Sequence, residues 1–174
     1  TFGYNGCVVG PVGFIQMASG SSITLEKGST LYAWGYITGS GSVEAKSGYG
    51  LATEHELKAL QVIQNLNDRH VMDIVPTFMG AHLVPKEYKE NRKEYIRLVC
   101  EEMMPLVAKQ GIAKFNDVFC EADTFDVDEA RQVLEAGLKY GLRPKIHADE
   151  IEAIGGSILA GEIGAISAEH LIVC

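Results

Sequence analysis

Three ionisable side chains close the stretch Pro144 to Glu150, PKIHADE: His147, Asp149 and Glu150. The residues before them, 144–148, read as a short strand. Parallel α/β proteins place their sites at strand ends of this kind. An imidazole there can ligate zinc or iron through a ring nitrogen. A metal-bound water ionises near neutral pH, and Glu150 is close enough in sequence to take its proton. The same carboxylate could instead orient a ligand from behind. The plain alternative is a core histidine with satisfied hydrogen bonds, and this stretch alone does not decide between them.

Other expected strand ends carry similar groups: Glu44, Lys46 and Tyr49; His82; Glu121; Glu169 and His170. In a parallel sheet these ends share one face. Three histidines at three strand ends, His82, His147 and His170, favour a site over coincidence. His82, His170 and Tyr49 suit the positioning of a polar heterocycle or the stabilisation of charge developing on oxygen. Each has a simpler reading. Tyr49 can pack in a turn, Glu44 and Lys46 can pair with each other, and Glu121 can be exposed or paired. Gly80, just before His82, leaves room for a ligand to approach.

The elements that position these groups follow from pattern. VEAKS at 43–47 is a short strand. Thr53 with Glu56 forms a capping-box pattern, opening a helix whose apolar face is Leu57, Leu60, Val62, Ile63 and Leu66. The apolar run 71–78 is a strand covered on both faces. A helix is expected over 89–110, broken or kinked at Pro105 and stopped by Gly111. Residues 117–122 form a strand. Asp126 or Thr124 then starts a helix with Ala130, Val133, Leu134, Ala136 and Leu138 inward, ended by Gly141. PKIHA, a short helix over 157–162 and a last strand within 165–173 complete the order. Repeated strand–helix units predict a parallel sheet, either doubly wound or part of a (β/α)8 barrel. Neither GxGxxG nor GxxxxGK occurs.

Residues 1–42 differ in composition. They are rich in Gly, Ser, Thr and aromatics, with Glu26 and Lys27 as their charged residues. Short strands are expected at 7–9, 13–18, 22–26 and 30–38, with Trp34 as a packing residue and 39–41 as a linker. The expected organisation is therefore a β-rich or irregular segment over 1–42 and an α/β domain over 43–174.

Composition narrows the function classes. Of 174 residues, 15 are Lys or Arg and 23 are Asp or Glu, giving a formal charge of -8. That argues against a nucleic-acid partner or an acidic membrane surface, though not against a small anionic substrate. No apolar run has the length of a membrane span, and no signal peptide is expected. Cys7, Cys100, Cys120 and Cys174 show no CxxC spacing, so free thiols in a reducing, cytoplasmic setting are expected.

Five motifs carry a resemblance. EAKSGYG at 44–50, PTFMGAHLVPKEY at 76–88, DVFCE at 117–121, KIHADE at 145–150 and SAEHL at 167–171 together resemble imidazolonepropionase, a metal-dependent amidohydrolase of histidine breakdown. The resemblance spans residues 43–173. It implies a (β/α)8 TIM barrel, here strands two to six, and hydrolysis of the cyclic amide 4-imidazolone-5-propanoate to N-formimidoyl-L-glutamate. It also implies one zinc or iron per complete site. By motif, His147 is a metal ligand, Glu150 contacts the metal-bound water and the substrate, and His170 assists at the catalytic centre. His82 and Tyr49 match substrate contacts. Glu169 stands where the family usually has Asp.

The chain also departs from the family. Pro11 to Gln16, PVGFIQ, only echoes the family's PGFID, and the HxH pair that should follow is absent, as is the later metal-binding aspartate. The implied partners are a small-molecule substrate and a homo-oligomeric copy that supplies what this chain lacks. Two other readings stand beside the hydrolase. One is a catalytically inactive fragment or scaffold partner without a full metal centre. The other is a metal-free α/β protein that binds a small ligand at its strand ends.

Overall fold

In a computed structural model the described residues are 42–70 and 72–174, with the backbone of four short strands ahead of them. Those strands are β1 (Cys7–Val9), β2 (Ile15–Gln16), β3 (Leu31–Ala33) and β4 (Ile37–Thr38). They pair in parallel, β1 with β3 and β2 with β4. The strand expected over 22–26, the role of Trp34 and the linker at 39–41 lie outside the described residues.

The α/β part is a parallel sheet of five strands: β5 (Ser42–Lys46), β6 (Asp73–Ala81), β7 (Phe115–Cys120), β8 (Arg143–Ala148) and β9 (Ser167–His170). Their spatial order is their sequence order. This decides between the two architectures left open by pattern. A doubly wound sheet reverses its strand order at a switch point. A sheet that adds each strand beside the last, with right-handed crossovers, keeps all its helices on one face and curls as a barrel does. The observed sheet is therefore a curled half-barrel.

The helices are α1 (Thr53–Asn67), α2 (Arg92–Arg97), α3 (Met104–Gln110), α4 (Val127–Lys139) and α5 (Gly156–Ile163). They bury Leu60, Ile63, Tyr95, Val133, Leu134 and Leu159, with Val99 and Met103 between α2 and α3, against Phe78, Val118, Ile146 and Ala148 of the sheet. Two expected inward residues of α1, Val62 and Leu66, are exposed instead, as is Leu138 of α4, where Gly137 takes the inward place. Gly137 lies so close to Asn116 that an added Cβ would come within 2.6 Å of its amide nitrogen.

Local signals set most boundaries. Asp126 caps α4 in a complete capping box with Glu129. Gly111 ends α3 in the left-handed conformation, φ 70°. The break expected at Pro105 is a π-helical turn, Leu98–Met103, joining α2 to α3. Proline has no N–H to continue the helical ladder, and a widened turn ahead of it accommodates the mismatch. The capping box expected at Thr53 does not form. Ala52 is the N-cap, and the Thr53 hydroxyl donates to Glu102.

Candidate functional site

Along a strand, alternate side chains face opposite sides. Glu44 and Lys46 of β5, Asp117 of β7, Lys145 and His147 of β8 and Glu169 of β9 all meet on the side away from the helices. Lys46 Nζ lies 2.7 Å from Asp117 Oδ2 and 2.9 Å from Glu44 Oε1. Lys145 Nζ lies 2.6 Å from Glu44 Oε2 and 3.4 Å from Glu169 Oε1. Thr77 of β6 donates to Glu44 as well.

The charges of this network hold one another. Burial opposes ionisation of Glu44, yet hydrogen bonds from Lys145, Thr77 and Lys46 keep its pKa below the ordinary carboxylate value. Burial also works against charge on Lys46, and the Asp117 carboxylate more than reverses that, raising its pKa. Asp117 is fully buried. Desolvation works against its charge, but the hydrogen bond with His147 and the nearby Lys46 hold its pKa down.

Asp117 also fixes His147. Nδ1 of the imidazole is 3.1 Å from Asp117 Oδ1. A carboxylate on one ring nitrogen sets the tautomer and leaves Nε2 for a ligand, which is the arrangement behind metal-bound histidines. Asp117, His147 and Glu169 offer ligand atoms within 4.8 Å of one another, so a three-donor set for a metal exists. Two lysines already sit against its carboxylates, however, and a cation placed among them would have to displace or face those ammonium groups. His147 through Nε2 fits the role of a ligand better than the triad fits that of a complete centre.

Beyond the network, the strand ends carry a row of rings. Tyr49 and His82 meet edge to face, with centroids 4.6 Å apart. His82 lies 6.1 Å from Phe119, Phe119 lies 6.4 Å from His147, and His147 lies 5.3 Å from His170. Each strand from β5 to β9 thus contributes one ring: Tyr49 and His82 just beyond β5 and β6, and Phe119, His147 and His170 within the last residues of β7, β8 and β9. His82 Nδ1 is 2.8 Å from Gly48 O, so it donates to that carbonyl and leaves Nε2 as the ring's acceptor. Register pairs His170 with Ala148 of the helix-facing set, but His170 has φ 71°. That left-handed turn reorients the imidazole towards His147. Non-glycine residues take such a conformation at a cost. His170 Nε2 is 3.4 Å from Glu150 Oε2.

The expected site residues Tyr49, His82, His147, Glu150 and His170 therefore share one face. Others serve differently from expectation. Gly80 gives its space to packing, since a Cβ there would lie 2.5 Å from the Phe78 ring, and its carbonyl accepts from Tyr95. Glu56, fully buried, accepts N–H bonds from Gly48, Gly50 and Leu51 and so shapes the turn carrying Tyr49. Asp149 caps α5, accepting from the N–H groups of Gly155, Gly156 and Ser157. Asp117 and Lys145 carry no motif of their own in the sequence. Period-two alternation within FNDVFC and RPKIHA marks the face they share, and nothing in the sequence marks their partners.

Fold and site together define a class: a (β/α)-barrel-type protein, in half-barrel form, with a polar site at the C-terminal ends of its strands. No family model matches the chain. Curated relatives do. Over 136 residues the chain is 59% identical to the imidazolonepropionase of Geobacillus kaustophilus (strain HTA426) and 59% identical to that of Geobacillus thermodenitrificans (strain NG80-2). It is 57% identical to that of Brevibacillus brevis over 136 residues. Each match covers 78% of this chain and 32% of the relative, so the chain spans about a third of the length of the curated relatives it matches. Across that segment the chain is similar to imidazolonepropionases.

Proposed function

We propose that this chain carries part of the active site of an imidazolonepropionase, a hydrolase that opens 4-imidazolone-5-propanoate to N-formimidoyl-L-glutamate in histidine degradation. The observation that carries the reading is the 59% identity over 136 residues of this chain, in a fold that brings His82, His147, Glu150 and His170 to one face. In this reading His147 holds a zinc or iron ion through Nε2, and the remaining ligands come from segments outside this chain. Such an ion supplies Lewis acidity and a more acidic water. Glu150 takes the proton of the attacking water and returns it to the ring nitrogen released when the cyclic amide bond breaks. His170, against Glu150, steadies the charge that develops on oxygen. His82 and Tyr49 contact the substrate. The assignment of Asp117 as orienter of His147 belongs to the same proposal, as does the division of the chain at 42/43.

A second reading concerns this chain alone. Among the described residues the single three-donor cluster has Lys46 and Lys145 against its carboxylates. That favours a scaffold without a complete metal centre of its own. Elemental analysis with solution mass separates the two readings. The hydrolase reading expects about one zinc or iron per site in the complete protein, lost with turnover in His147→Ala. Turnover unaffected by His147→Ala would overturn it. A stable, metal-free fold for the isolated chain supports the scaffold reading for this piece.

A further inference from the structure

Glu121 follows β7 and is 2% exposed, and among the described residues its carboxylate accepts from backbone N–H groups. Oε2 accepts the N–H of Glu150 at 3.0 Å and of Ile151 at 2.9 Å. Oε1 accepts the N–H of Glu152 at 3.0 Å and of Ala122 at 3.1 Å. One buried carboxylate thus ties the end of β7 to three consecutive amides beyond β8. The loop needs such a restraint. Asp149, at its start, stands at φ 49°, a conformation that side chains disfavour. On this held backbone the Glu150 carboxylate comes to 3.4 Å from His170 Nε2.

We propose that Glu121 is a positioning residue whose carboxylate fixes the 150–152 backbone and so aims Glu150 at His170. The proposal rests on the reading of Glu150 and His170 as the working pair. Its chemistry requires a carboxylate. Four N–H donors converge on two oxygens, and a glutamine would set its own NH2 against one pair of them. Cutting the tie leaves the strands and the core in place and frees the loop to move Glu150 off its partner.

The test is made on the whole chain, labelled with 15N in histidine and backbone, at neutral pH and without metal or substrate. Glu150→Gln identifies the His170 Nε2 signal that reports the contact. Glu121→Gln is expected to move that signal in the same direction by at least half as much. It should also speed amide exchange at 150–152 by about tenfold or more. Glu121→Asp keeps both oxygens one methylene short and is expected to fall between, which preserves the test if the glutamine variant does not fold. Leu134→Ala, a core change of similar destabilisation, is expected to leave the signal in place. A His170 signal unmoved by Glu121→Gln but moved by Glu150→Gln would make Glu121 merely structural. A signal unmoved by either would remove the contact itself. Because no metal or turnover enters, failure of the hydrolase reading would register separately, in the metal and activity measurements.

Discussion

Lys145 Nζ lies 2.6 Å from Glu44 Oε2, although three strand steps separate β8 from β5. In a flat sheet those strands would stand about 14 Å apart. The contact exists because the sheet curls, and it ties the first strand of the half-barrel to the fourth. The curl and the charge network are therefore one feature. Lys145→Met strands the Glu44 carboxylate with fewer partners and is expected to cost about 2–3 kcal/mol, less than a fully buried pair because Glu44 keeps some water. Urea unfolding of Lys145→Met, Glu44→Gln and the double variant measures the coupling. Additive costs would show that the two groups do not meet in solution.

Glu56 makes a second prediction. Removing its carboxylate leaves the N–H groups of Gly48, Gly50 and Leu51 without their acceptor. At about 1 kcal/mol for each, Glu56→Ala should lose roughly 3 kcal/mol. For a chain of this size that is a fall in Tm of about 6–12 °C, read by calorimetry.

Acid should loosen the loop beyond β8. Burial works to raise the pKa of Glu121, but the N–H groups of Ile151, Ala122, Glu152 and Glu150 more than offset it and leave the pKa lowered. A group whose folded pKa is depressed contributes stability above its unfolded value. That contribution is lost as pH falls through the folded pKa. Wild type and Glu121→Gln should therefore differ most above about pH 4.3 and converge below it. A gap that is constant with pH would mean that Glu121 is not held as an anion.

Asp117 is predicted to act on metal through His147. In the complete protein Asp117→Asn should weaken zinc or iron binding by about 10- to 100-fold. Competition with a chelator of known affinity reads the change. Unaltered affinity would show that Nδ1 needs no orienting carboxylate.

Thiol labelling separates the cysteines. Burial pushes the Cys120 thiol up to about 12 and the Cys100 thiol up to about 11. Cys174 is exposed. At pH 8 an aromatic disulfide reagent should therefore modify Cys174 quickly and Cys120 only after unfolding. Peptide mapping after brief labelling gives the order.

What the sequence disclosed depended on how local each cause was. Asp126 and Glu129 sit three residues apart and satisfy each other, so that helix start was legible. Gly111 ends its helix by its own backbone. Thr53 and Glu56 present the same local pattern and mislead, because the loop at 48–51 offers Glu56 more donors than the helix end does. Val62, Leu66 and Leu138 fit a helical stripe, yet a stripe wider than the contact leaves its margin exposed. The site divides in the same way. His82, His147, Glu150 and His170 were visible as strand-end polar residues. Asp117 was not, because its meaning lies in partners 30 and 71 residues away. The imidazole of His170 reaches the others only through a backbone turn that no pattern announces.

The strand order has a temporal consequence. Each strand from β6 to β9 pairs with the strand made just before it. Within this five-stranded sheet every new strand finds its template edge already synthesised as the chain leaves the ribosome. The side-chain contacts across the curl are different: Lys46 meets Asp117 two strands on, and Glu44 meets Lys145 three strands on. The Glu44–Lys145 contact can form only when β8 has emerged, so it closes over strands whose neighbours are already synthesised.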